Sequence, residues 1–220
     1  MARALNQQSV IETLGRTGVV PVVVLEDPTS ANPLADALVQ GGIPCAEITL
    51  RTPAGIRGID ALKDRTDILV GAGTVLTRED VDRAADAGAR FIVSPGFAPD
   101  VVARSVQLGL TVIPGISTAT ELQAAVAAGV SHVKLFPAEI VGGLQLLKAL
   151  AGPFPDVKFM PSGGLTLQNM TGYLQNPAVF AVGGSWMVPQ TAMASRRFSE
   201  VAKLCAETRD MVSTAKATRN

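Results

Sequence analysis

VVPVVVLEDP, residues 19–28, is the first apolar run of the chain, and the residues at its C-terminal end decide the fold. Val19 to Leu25 is continuously apolar and rich in β-branched residues, as a strand covered on both faces requires. In a doubly wound, nucleotide-binding sheet the first strand leads into G-x-G-x-x-G. Glu26-Asp27-Pro28 stands there instead. This argues against the open sheet and for a closed barrel of βα units.

Further runs of the same kind recur to the end of the chain: CAEITLR (45–51), ILVGAGTV (68–75), RFIVSPG (90–96), TVIPGIS (111–117), HVKLFPA (132–138), KFMPSGG (158–164) and VFAVGGSW (179–186). Helix signals separate them. Asn32-Pro33 and Thr52-Pro53 read as an N-cap followed by proline at the first helical position. Thr77 to Asp80 and Thr118 to Glu121 fit capping boxes. Gly42, Gly88, Gly109 and Gly129 each close a helical stretch ahead of a strand. Eight such units, with no linker between them, predict an α/β fold: a single-domain TIM (β/α)8 barrel over residues 1–220. An extra N-terminal helix is expected at 6–15. Another is expected at 195–213, docking through Phe198, Val201, Leu204, Cys205 and Met211.

Composition narrows the function. The chain has 220 residues, 19 Lys+Arg against 19 Asp+Glu, and 47% apolar residues with only 4% aromatic. A neutral balance gives no reason to expect nucleic acid or an anionic membrane as a partner. No apolar stretch is long enough to span a bilayer, and the N-terminus shows no secretion signal. Cys45 and Cys205 are far apart and match no metal spacing; with one histidine, a protein-built zinc site is not expected. A reduced, cytoplasmic protein is the expectation.

In this fold the chemistry sits at the C-terminal ends of the strands. Alternation along CAEITLR puts Ala46, Ile48 and Leu50 on one face and Glu47, Thr49 and Arg51 on the other. If the apolar face is the outer one, Glu47 and Arg51 point into the barrel. They form either an internal charge network or a catalytic pair; pattern alone leaves both open. Likewise His132, Lys134 and Phe136 share the inner face of the sixth segment. Burial disfavours an ammonium, and a neutral amine attacks carbonyls to form a Schiff base. Lys134 is therefore the candidate nucleophile, against the plainer reading of a lysine that merely pairs with Glu47. His132, near the start of its strand, reads as a packing residue. Gly71 and Gly73 allow close backbone approach beside Thr74, which alone would mean only a tight corner. Pro95 and Pro114 mark strand ends that shape a pocket mouth, with the Pro95 carbonyl free to face a ligand. The turns SGG (162–164) and GGS (183–185) follow the seventh and eighth strands, where phosphate-binding barrels hold their anion. Ser162 and Ser185 add hydroxyl donors there.

Taken together, AEITLRT, VGAGTV, SPG, PGIS, K-x-FPAE, PSGGL and GGSW, in this order, resemble the 2-keto-3-deoxy-6-phosphogluconate (KDPG) aldolase family, which also includes 4-hydroxy-2-oxoglutarate (KHG) aldolases. The similarity runs from about Leu14 to Val188. It implies a class I aldolase on a TIM barrel, without metal or other cofactor, usually a homotrimer, acting on a small 2-oxo acid. By this resemblance Lys134 forms the Schiff base and Glu47 is the general acid/base. Arg51 binds the pyruvate carboxylate, Thr74 contacts the pyruvyl moiety, Pro95 contributes a backbone contact and Phe136 lines the pocket. Gly163, Gly164, Gly184 and Ser185 fall on the phosphate site. Leu135, where a second aromatic is common, and Ser162, where threonine is common, depart from the pattern conservatively. A preference for an unphosphorylated or epimeric substrate stays open at this level, as do an isomerase or decarboxylase and a non-catalytic sugar-phosphate-binding barrel.

Overall fold

The computed structural model of the chain describes residues 7 to 218, with side chains from residue 9 onward. Parallel strands alternate with helices throughout. β1 (Val19–Val23) is followed by α2 (Ala31–Gln40), β2 (Cys45–Thr49) by α3 (Pro53–Ala61), β3 (Leu69–Gly73) by α4 (Arg78–Asp86), and β4 (Phe91–Val93) by α5 (Pro99–Gln107). The fifth strand is interrupted at Pro114 into β5 (Thr111–Ile113) and β6 (Gly115–Ile116) before α6 (Ala119–Ala127). β7 (His132–Leu135) leads to α7 (Gly143–Ala151), β8 (Lys158–Pro161) to α8 (Met170–Leu174), and β9 (Val182–Gly184) to α9 (Gln190–Ala194). The N-terminal helix α1 (Gln7–Thr17) precedes the first strand, and α10 (Phe198–Ala217) ends the chain.

The strands close on themselves. β5, β4, β3, β2, β1 and β9 form one run of neighbours, and β6, β7 and β8 the other. Bridges Phe159↔Val179 and Ser162↔Gly183 join β8 to the β9 side. The join at the fifth strand falls on Pro114, which has no N–H for the ladder. Its carbonyl still accepts from Lys134 N at 2.8 Å, so the ladder continues across the break. The expected (β/α)8 barrel is present. Its strands are shorter than the apolar runs, because the last residues of several runs leave the ladder to build the loops at the barrel mouth.

The local signals have mixed outcomes. Thr77 and Thr118 cap α4 and α6 with reciprocal capping boxes to Asp80 and Glu121. Gly42, Gly88, Gly109 and Gly129 follow their helices in the left-handed region, with φ of 79°, 92°, 70° and 80°. Asn32 is not a cap. Asp27 caps a 3-10 turn, Pro28–Ser30, that runs directly into α2, so Asn32 lies inside the helix. Thr52 is the residue before α3, but its hydroxyl donates across to the Leu25 carbonyl rather than capping. The N-terminal helix expected at 6–15 is described from Gln7, and residue 6 lies outside the described residues. The C-terminal helix starts and ends later than expected, and docks as anticipated. Val201 and Cys205 are buried, and Phe198, Leu204 and Met211 pack against the core. Burial pushes the thiols of Cys45 and Cys205 up to about 12, which leaves both unreactive at neutral pH.

His132 sits at the opposite end of β7 from the mouth, edge-on to Phe180 with ring centroids 5.0 Å apart. Burial, and then the charge of Lys158, lower its pKa below the ordinary 6.5. Below that pH the unfolded chain takes up the proton more readily than the folded one. This contribution to stability is therefore complete above about pH 6.5 and falls as the pH drops. The thermal midpoint is expected to decline between pH 7 and about 5.5 by more in the wild type than in His132→Gln. Equal declines in differential scanning calorimetry would remove His132 as the cause.

Candidate active site

Two strands that are not neighbours supply the centre of the site. Glu47 on β2 pairs in register with Val22 and Gly71, and Lys134 on β7 with Gly115 and Met160. Their side chains meet inside the barrel, with Lys134 Nζ donating to Glu47 Oε1 at 3.1 Å. Both are deeply buried, at 5% and 1% exposure. The inward placement inferred for Glu47 and Lys134 is thus the observed one. Lys134 Nζ also lies 5.1 Å from the centroid of the Phe136 ring. Glu47 Oε2 is buried without a protein donor. A buried carboxylate oxygen left unpaired is costly, and such atoms call for an explanation.

The neighbouring strand is shaped around this carboxylate. A Cβ on Gly73 would overlap the Glu47 carboxyl group, and one on Gly71 would overlap the Phe91 ring. The GAG stretch is therefore more than a tight corner: one glycine seats the acid and the other lets a buried phenyl fill the barrel. Immediately after it, Thr74 adopts φ 56°, in the left-handed region that β-branched residues avoid. Such strain costs on the order of 1–3 kcal/mol and concentrates at functional sites. Its hydroxyl accepts from Arg51 Nε at 3.3 Å.

Above the pair opens a cavity of about 380 Å³. Lys134, Arg51 and Phe136 line it on one side. Ser162, Gly163 and Gly164 line it from the turn after β8, and Gly184 and Ser185 from the C-terminal end of β9 and the residue after it. Gly163 and Gly164 have φ of 94° and 82°, which only glycine adopts without cost. Glycines from both segments, without side chains, line the cavity. The helices beyond them, α8 and α9, have only 5 residues each, so any anion here meets turn backbone rather than the end of a long helix.

Residues expected from sequence divide three ways. Those lining the cavity converge on one space. Glu47 and Thr74 do not line it, and reach it through contacts with Lys134 and Arg51. Pro95 lies apart: its carbonyl is packed against Gly115, where a Cβ would overlap it. Sequence reasoning missed Gln190, which lines the cavity and donates from Nε2 to the Val24 carbonyl at 3.0 Å. The two are 166 positions apart, and no local pattern joins them. Among the described residues no group of three or more His, Cys, Asp or Glu could hold a metal ion, and no helix is long and apolar enough to cross a membrane.

The family model for KDPG and KHG aldolase matches residues 10–204. The chain belongs to this aldolase family. It is 47% identical over 205 residues to the 2-dehydro-3-deoxy-phosphogluconate aldolase of Treponema pallidum, covering 93% of this chain and 98% of that one. Among solved structures, it is 39% identical to the KDPG aldolase of Legionella pneumophila, with a TM-score of 0.87 and coverage of 92% and 97%. That enzyme was captured with pyruvate as a covalent carbinolamine intermediate. It is 38% identical to the Zymomonas mobilis aldolase bound to 3-phosphoglycerate, with a TM-score of 0.84 and coverage of 94% and 96%. Family membership makes the protein a carbon–carbon lyase on a barrel scaffold, in agreement with the activity that the resemblance of its motifs implied.

Proposed function

We propose that this aldolase cleaves 2-dehydro-3-deoxy-6-phosphogluconate to pyruvate and glyceraldehyde 3-phosphate through a Schiff base on Lys134. The observation that carries the reading is the buried Lys134–Glu47 contact beneath the cavity, with one carboxylate oxygen left unpaired. Lys134 Nζ passes its proton to Glu47 and attacks the C2 carbonyl of the 2-oxo acid, giving a carbinolamine. Loss of water gives an iminium, a better electron sink than the ketone. Glu47, directly or through a water at its unpaired oxygen, takes the C4 hydroxyl proton. The C3–C4 bond breaks, its electrons pass into the iminium, and aldehyde and enamine result. Glu47 returns a proton to C3 of the enamine, and hydrolysis frees pyruvate and the lysine. The carbinolamine captured in the Legionella pneumophila relative supports this sequence of steps.

The remaining residues have positioning roles in this reading. Arg51 holds the substrate carboxylate, with its guanidinium steadied by Thr74. Phe136 lines the apolar side. Ser162, Gly163, Gly164, Gly184 and Ser185 receive the phosphate, a role supported by the lining of one cavity by both segments. No metal or organic cofactor enters any step. A homotrimer and a cytoplasmic setting belong to the same reading and rest on family membership alone.

A competing reading within the family takes unphosphorylated 4-hydroxy-2-oxoglutarate as the main substrate. Turnover of the two compounds separates them. The phosphorylated acid is expected to have a kcat/KM about 100-fold higher, since charge-assisted hydrogen bonds to a phosphate supply a few kcal/mol. Equal kcat/KM values would remove the phosphate site.

A further inference from the structure

The chain has a single tryptophan, Trp186, directly after the GGS stretch (183–185) that ends β9 and opens the following turn. The benzo edge of its ring packs against Gly184, where a Cβ would overlap ring atoms Cζ3 and Cε3. The indole does not line the cavity. Its Nε1 donates at 3.0 Å to the hydroxyl of Thr208, which is fully buried. Thr208 belongs to α10, the helix after the eighth βα unit. A buried threonine hydroxyl facing an indole N–H favours one ring orientation, because a rotated ring leaves the buried hydroxyl without this donor. The ring in turn limits where the Gly184 backbone can sit.

We propose that the Trp186–Thr208 pair is a positioning device for the anion-binding turn, through which the C-terminal helix sets the geometry at which Gly184 and Ser185 meet the substrate phosphate. This rests on the reading of that turn as the phosphate site. Thr208 touches no substrate, so its removal acts on phosphate binding and leaves the Lys134–Glu47 chemistry unchanged.

The test uses Thr208→Val, which keeps the side-chain shape and removes the hydroxyl, and Thr208→Ser, which restores it. In steady-state kinetics Thr208→Val is expected to raise KM for the phosphorylated substrate about tenfold, a typical cost for one unsatisfied buried donor. Its kcat, and its KM for 4-hydroxy-2-oxoglutarate, stay near wild type, and Thr208→Ser recovers the wild-type KM. Titration with inorganic phosphate is expected to change Trp186 fluorescence in the wild type with saturation, and to require a higher concentration in Thr208→Val. If the wild type prefers the phosphorylated substrate but Thr208→Val leaves its KM unchanged, or weakens both substrates alike, the positioning role is overturned and the phosphate reading stands. If the wild type shows neither the preference nor a response to phosphate, the phosphate reading fails and this inference fails with it. If Thr208→Val does not fold, Thr208→Ser against Thr208→Ala carries the same comparison, and equal KM values in those two overturn the proposal.

Discussion

Lys134→Ala is expected to abolish cleavage and to leave no pyruvate attached to the protein on borohydride reduction. The amine supplies the only covalent step in the proposed sequence, so no residual route remains through an imine. The loss has a second component. Lys134 is the partner of a carboxylate at 1% exposure, and breaking a buried ion pair costs about 3–5 kcal/mol through the charge left behind. A drop in thermal midpoint is therefore expected with the loss of activity. Lys134→Gln separates the two: its amide can donate to Glu47, so the fold is better preserved, but it cannot form an imine. Mass spectrometry of the borohydride-treated protein decides the matter. A pyruvate adduct on either variant would place the Schiff base elsewhere.

Glu47→Gln is expected to keep the trapped adduct and lose turnover by about 10²–10⁴-fold, the range of a positioned general acid/base. Glutamine is nearly isosteric, so the seat made for the side chain by Gly73 stays filled. What changes is proton transfer: the amide neither takes the C4 hydroxyl proton nor returns one to the enamine. Trapping and cleavage should therefore part company in this variant, whereas in Lys134→Ala they fail together. Turnover within about threefold of wild type, measured by pyruvate release, would take Glu47 out of the role. Loss of trapping along with turnover would mean that Glu47 acts earlier, in forming the imine.

These two variants probe a pair 87 residues apart in the chain. Each member was legible by itself. CAEITLR and HVKLF alternate strictly, and period-two alternation assigns faces without knowledge of any partner. The closed barrel was legible too, because βα units of one size recur and their glycines and capping boxes mark where each helix stops and starts. Single caps were less so. Asn32 has the residue type and the adjacent proline of a cap, yet Asp27 starts the helical path earlier through a 3-10 turn. Strand ends were the least legible, because the same apolar residues that continue a ladder also line a loop at the barrel mouth.

The sequence by itself determined the scaffold, the faces of Glu47 and Lys134 on their strands and the candidates for the reacting side chains. All of these derive from patterns within one element or from the order of motifs. Tertiary structure alone decided which of them meet. It turned Glu47 and Lys134 toward each other across the barrel, leaving one oxygen of the acid unpaired. It seated Glu47 against Gly73, folded the Pro95 carbonyl onto Gly115, brought Gln190 to the cavity, and tied Trp186 to Thr208. The physical reason is the same in each case. These contacts join residues whose separation in the chain carries no periodic signal, and they exist only once closure of the sheet has fixed the distance between strands.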